Sequence, residues 1–119
     1  MLLTLHARIG RWLQTGGHLE AGDLDLEAAA LREASEESGL VSLVLDSAPL
    51  LLSRHEVACG PVRPTFHLDV QYLVRAPAAS APTVGTESFD VQWFSPSDLP
   101  PVDDTVLDLV AAASRRLPW

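Results

Sequence analysis

Residues 17–40 read GHLEAGDLDLEAAALREASEESGL, and the spacing inside this stretch decides how the rest of the chain is read. Asp25 precedes a run from Leu26 to Ser38 that contains neither Gly nor Pro, and Gly39 closes it. An Asp at the N-cap accepts a hydrogen bond from an unpaired N–H of the first turn. A Gly past the last turn takes the left-handed backbone that ends a helix. The pattern therefore predicts a helix over Leu26 to Ser38, with Leu40 packing back on its last turn. On that helix Glu33, Glu36 and Glu37 are related by i, i+3 and i+4 and share one face, while Leu31 and Ala34 lie toward the other. Three carboxylates on one face repel one another and weaken an isolated helix. Hard divalent cations prefer oxygen ligands and offset that repulsion directly. For three Glu alone, a solvated helix face is the competing reading. The surroundings add to the set: Gly16 and Gly17 lie in an upstream loop that can present carbonyls, and Arg32 stands beside the carboxylates.

The whole chain frames this stretch. Its 119 residues suit one domain, and 47% are hydrophobic, enough for a core without covalent staples. The net charge is −8, which repels phosphate backbones and argues against a nucleic-acid polymer as partner. An acidic protein that handles a phosphate ester needs cations between the two, which points to Mg2+ or Mn2+. Cys59 is the only cysteine, so a disulfide within the chain is impossible, a zinc–thiolate site is disfavoured, and a reducing cytoplasm fits. The apolar start soon meets His6, Arg8 and Arg11, too early for a signal-peptide core. No run reaches transmembrane length.

Along the chain, Leu2 to His6 reads as a strand, Ile9-Gly10 as a turn, and Trp12 to Gln14 as a brief extended piece. Strands are expected at Val41–Leu45, Leu50–Glu56, His67–Arg75 and Phe89–Phe94. A second helix is expected over Asp103–Arg116, capped by Asp103 or Asp104 and ending on Arg115-Arg116. The loop at Cys59–Pro64 is short, and the Ala76–Thr86 loop, rich in Pro, Ala and Ser, is expected to be mobile. Strands interrupted by two helices suggest an α+β domain with a mixed sheet and helices on its faces.

Residues 17–40 resemble the Nudix box. That family pattern is a Gly, five residues, a Glu, seven residues, then Arg-Glu-apolar-x-Glu-Glu-x-Gly-apolar. The second half is complete here as Arg32-Glu33-Ala34-Ser35-Glu36-Glu37-Ser38-Gly39-Leu40. The first half, Gly17 to Asp23, resembles a GGHxExxD variant. Asp23 stands for the usual Glu, and one extra residue falls at the loop-to-helix junction, where insertion costs little. The resemblance runs from Leu2 to about Arg116 and implies an α/β/α sandwich with a mixed sheet and two helices, a single domain over 1–119. The family's first strand has no counterpart before Leu2; either the start is truncated or another chain fills the sheet edge, and the second alternative suggests a homodimer.

The resemblance also implies roles. Glu36 and Glu37 are the prime metal ligands, Glu33 is a third ligand or the base that activates water, and the Gly17 carbonyl is a further ligand. Arg32 orients Glu33 through a charge-assisted hydrogen bond. Many members recruit a later Glu, and Glu87 is the candidate. The implied activity is hydrolysis of a diphosphate linkage in a small phosphorylated metabolite or nucleotide. The alternative is a catalytically weak or inactive nucleotide sensor. Beyond the box, His67, Asp69 and Gln71 line one strand face and are candidate substrate contacts, against a solvent-facing reading. Trp12 is a candidate platform for a base, against a place in the core. His18 is read as a loop residue and Cys59 as an inert thiol.

Overall fold

A computed structural model of the chain describes residues 1–16, 20–57, 65–85 and 88–117, and no side chain at 55–57 or 65–67. Gly17, His18, Cys59, the loop around it and Glu87 lie outside the described residues. In chain order the elements are β1 (Leu2–His6), β2 (Trp12–Leu13), α1 (Leu26–Ser38), β3 (Val44–Leu45) and β4 (Leu51–Val57). Then come β5 (Thr65–Gln71), β6 (Val74–Arg75), β7 (Ser88–Trp93) and α2 (Asp104–Arg116). The α+β class and the two helices stand as read from the sequence. Among the described residues every strand pairing is antiparallel: β2-β1-β7 form one sheet, β3-β6 a second and β4-β5 a third.

The pairing register explains which side chains go where. Leu2 to His6 alternate, so Leu3 turns to one face of the β2-β1-β7 sheet while Thr4 and His6 turn to the other. Leu3 is fully buried and meets Val106 and Val110 of α2. Met1, Trp12, Phe94, Leu99 and Val102 close round that cluster. On the opposite face, Thr4 is directly across from Leu13 and from Val91, which is buried. Removing a side chain the size of Leu3 from water contributes roughly 1.5–3 kcal/mol, so α2 and the sheet are held chiefly by this cluster. The second helix starts where expected: Asp103 accepts from the Val106 N–H at 3.2 Å. Its far end is tied down by Arg116, which donates to the carbonyls of Ala48 and Pro49 at 2.8 and 3.1 Å.

Three sequence expectations change. The strand at Val41–Leu45 begins only at Val44, because Ser42 has φ 58° and leaves the extended region. The strand expected over His67–Arg75 is two strands, β5 and β6, interrupted at Tyr72 and Leu73. Leu73 is buried there, and its carbonyl accepts from the Asp46 N–H at 2.8 Å. The Ala76–Thr86 loop, read as mobile, is bonded along its described part to Ser38 and Trp93. Among the described residues, no helix is long and apolar enough to cross a membrane.

Candidate active site

The acidic helix forms as its sequence dictates. The Asp25 side chain accepts from the Ala28 N–H at 2.8 Å, and Gly39 (φ 68°) donates its N–H to the Ser35 carbonyl at 2.8 Å. Ala34 and Ser38 are buried on the side of the helix turned away from Glu33 and Glu36. Residues 20–23 make a turn closed from both ends. The Asp23 N–H donates to the Glu20 carbonyl at 3.0 Å, and the Glu20 N–H donates to Asp23 Oδ2 at 2.7 Å.

That turn aims Asp23 at Arg32. Arg32 Nε and Nη2 donate to the two Asp23 oxygens at 2.8 and 3.0 Å, a two-pronged fork in which the carboxylate is only 5% exposed. The third nitrogen, Nη1, lies 2.9 Å from Glu33 Oε1, 3.1 Å from Glu36 Oε2 and 3.3 Å from Glu20 Oε1. Hydrogen bonding to Arg32, and secondarily to the Glu20 N–H, holds the Asp23 carboxyl below its ordinary range. The same bond raises Arg32 further above neutrality, against the opposing effect of burial. The extra residue between Asp23 and Arg32 is accommodated at the junction, where Leu24 is 94% exposed. Asp23, one methylene shorter than Glu, still reaches the guanidinium.

Glu37 faces elsewhere. Its Oε2 lies 3.4 Å from the Gly16 N–H, and the side chain borders a cleft of about 280 Å3. Thr4, His6, Leu13 and Ser88 of the three-stranded sheet line that cleft together with Ile9 and Gln14. The loop before β7 runs against the end of α1. The Thr83 N–H donates to the Ser38 carbonyl at 2.7 Å, and a Cβ placed at Gly85 would stand 3.6 Å from the Glu36 carbonyl.

The donor chemistry fits a hard divalent cation: oxygen ligands only, on one helical face, with Glu36 59% exposed and hydrogen-bonded to Arg32 at 3.1 Å. In the present arrangement Arg32 engages two of the three carboxylates, and no three acidic, His or Cys side chains among the described residues converge as metal ligands.

The NUDIX domain model matches the chain over residues 1–116. The chain belongs to the Nudix family. An Ap4A hydrolase of C. elegans, solved as a binary complex, superposes with a TM-score of 0.74 at 17% identity, over 97% of this chain and 83% of that one. A NUDIX-family hydrolase of Clostridium perfringens gives a TM-score of 0.75 at 22% identity, over 98% of this chain and 89% of that one. No curated protein sequence matches the chain.

Within this Nudix domain the structure brings Arg32, Glu33 and Glu36 together and sets Glu37 at the cleft. Gly17 and Glu87 belong to segments outside the described residues; their neighbours Gly16 and Ser88 both border the cleft. The residues singled out as substrate contacts sit differently. Trp12 is packed edge-on against Phe94, ring centres 5.0 Å apart, in the core cluster. Strand alternation gives the reason: Leu13 faces the cleft, so Trp12 faces α2. Asp69 pairs with Ser53 and shares the face of Gln71. Ser53 and Gln71 border a second cleft against Thr105, Asp108 and Arg115 of α2, and none of these residues reaches the cleft at Glu37. For His67 only the backbone, paired with His55, is described. Thr4, His6, Gln14 and Ser88 were not singled out from the sequence. The period-two recurrence of polar Thr4 and His6 in an apolar strand is the signal that marks this face.

Proposed function

We propose that the chain is a hydrolase that cleaves a diphosphate linkage in a nucleoside triphosphate or a nucleoside diphosphate derivative with the help of Mg2+ or Mn2+. The observation that carries this reading is the complete set Glu33, Glu36 and Glu37 of the box, with Glu37 bordering a cleft. A structural neighbour named as an Ap4A hydrolase is in keeping with a nucleotide substrate.

In this reading Glu36 and Glu37, joined by the Gly17 carbonyl and Glu87, would hold the cation, and Glu33 serves as the base. When bound, the cation neutralises phosphate charge and lowers the pKa of water in contact with it. Arg32 acts as a positioning residue. Fixed by Asp23, it holds Glu33 by one hydrogen bond and sets the direction of that carboxylate. Glu33 takes the proton of the attacking water as its oxygen bonds to phosphorus. The bridging P–O bond breaks, and the departing phosphate oxygen carries the electron pair. Ser88 and His6, which border the cleft, offer a hydroxyl and an imidazole to the rest of the substrate.

A second reading has one observation in its favour. Arg32 already supplies a positive charge to Glu33 and Glu36, so the fold satisfies two of its carboxylates without metal. A chain kept in that state binds a nucleotide and turns it over weakly or not at all. Incubation with Mg2+ or Mn2+ and a panel of nucleoside di- and triphosphates, ADP-ribose, nucleotide sugars and dinucleotides separates the two. Release of phosphate or monophosphate, lost with EDTA, supports the hydrolase; binding without release supports the sensor. A cytoplasmic location and self-association complete the proposal. Leu52 and Leu68, 72% and 76% exposed on one face of β4–β5, support self-association.

A further inference from the structure

The segment between β6 and β7 is fastened at two points, one on the sheet that lines the cleft and one on the helix that supplies Glu37. Its first part is a closed turn. The Ser80 N–H and Oγ both donate to the Pro77 carbonyl, at 3.3 and 2.5 Å, and Ala79 takes φ 61°. The Ser80 carbonyl accepts from Trp93 Nε1, at the end of β7, at 2.7 Å. Three residues on, the Thr83 N–H donates to the Ser38 carbonyl at 2.7 Å. Ser38 is the last residue of α1, so its carbonyl has no partner within the helix and takes one from outside. The Thr83 side chain lies on Gly39, where a Cβ would stand 2.9 Å from Thr83 Cβ and 3.2 Å from its Oγ1. Gly85 then passes beside the backbone of the box, where a Cβ would stand 3.6 Å from the Glu36 carbonyl oxygen and 3.9 Å from Glu37 Cα. The segment is thus a strut from the β2-β1-β7 sheet to the residue that follows Glu37.

We infer that Thr83 is a positioning residue: by tying the strut to the end of α1 it sets where Glu36 and Glu37 stand relative to the sheet at His6 and Ser88, and so how well the two carboxylates hold a divalent cation. The inference rests on the hydrolase reading for Glu36 and Glu37 as ligands and adds the contact that aligns them. Thr83 touches neither cation nor substrate in this role. Ligands bind well only when held within a fraction of an ångström of their working positions, so a contact behind them is felt as metal affinity.

The test titrates Mn2+ alone, by calorimetry, into the full chain and three variants at a temperature where each is folded. Thr83→Pro deletes the N–H that reaches Ser38. Thr83→Ser keeps that N–H and the Cβ. Trp93→Phe removes the donor at the other fastening and leaves α1 untouched. Thr83→Pro is expected to weaken Mn2+ binding by about tenfold or more, Trp93→Phe to weaken it in the same direction, and Thr83→Ser to bind as the unaltered chain does. A purely structural threonine would instead lower the Tm of Thr83→Pro and leave the Mn2+ affinity of the folded protein alone. Equal affinities in Thr83→Pro and the unaltered chain overturn the assignment. So does a loss in Thr83→Ser as large as in Thr83→Pro, or no binding of Mn2+ by the unaltered chain. If Thr83→Pro does not fold, Trp93→Phe decides: weaker binding supports the assignment, and unchanged binding overturns it. Turnover of the nucleotide panel, measured separately, keeps the two readings apart. The expected affinities without turnover leave Thr83 in place and sink the hydrolase reading; turnover with level affinities does the reverse.

Discussion

Arg32 grips Asp23 with two nitrogens and offers the third to Glu20, Glu33 and Glu36. The fork fixes the guanidinium, and the guanidinium in turn sets the direction of Glu33. Asp23→Asn therefore acts on Glu33 at one remove. Loss of such a supporting contact costs on the order of 10–100-fold in metal affinity or activity, to be read from kcat and from the Mg2+ concentration at half-activity. The same substitution has a pH signature. Arg32 holds the Asp23 carboxyl below its ordinary value. Its contribution to stability is full above the unfolded value of about 3.9 and is lost as pH falls through the lower folded value. The Tm gap between the two proteins is expected to be flat from neutral pH to about pH 5 and to close in stronger acid. A gap that persists unchanged to the acid limit contradicts the fork's role. The departure of the box from the family pattern at Asp23 was visible in the sequence. Its remedy was not, since only the fold shows that the longer junction and the shorter acid still meet Arg32.

At the scale of elements, the first helix was legible to the residue and the second to within one. Asp25, Gly39 and Asp103 act on neighbours within a turn, so local spacing suffices. Strands were legible as extended segments but not in their ends. The stops at Ser42 and at Tyr72-Leu73 come from backbone turns and from a bond between distant residues, which periodicity does not record. Trp12 was left between a substrate platform and the core for a related reason. Alternation tells that Trp12 and Leu13 face opposite ways, but only pairing with β1 tells which way is the cleft. The close of α1 offers the test of an element. Gly39 sits at φ 68°, and a Cβ there would come within 2.9 Å of Thr83 Cβ. Gly39→Ala thus meets backbone strain and a contact with a loop fixed to Ser38. It is expected to destabilise by about 1–3 kcal/mol, read from the urea midpoint. An unchanged midpoint shows that the loop and the left-handed cap are not coupled as described.

For the whole molecule, the β2-β1-β7 sheet separates two tasks. One face carries Leu3, Trp12 and the α2 core, and the other carries Thr4, His6 and the cleft beside Glu37. Substitutions on the two faces should separate in the same way. Leu3→Ala empties a fully buried position and is expected to cost about 2–5 kcal/mol in urea unfolding. Because α2 and the core lie opposite the cleft, the folded fraction should keep its KM. A change in KM at full folding shows the faces to be coupled. The net charge of −8 belongs to this scale as well: it disfavours approach of a phosphate without cations, so turnover is expected to depend on added metal.

The central claim, metal-assisted cleavage at the box, comes down to one comparison: hydrolysis of the nucleotide panel by the unaltered chain and by Glu37→Gln, with Mg2+ and with EDTA. The account predicts turnover of at least one substrate class, abolished by EDTA and reduced by about 100-fold or more in Glu37→Gln. Turnover that survives EDTA and the substitution would show that the box carboxylates are not where the reaction takes place.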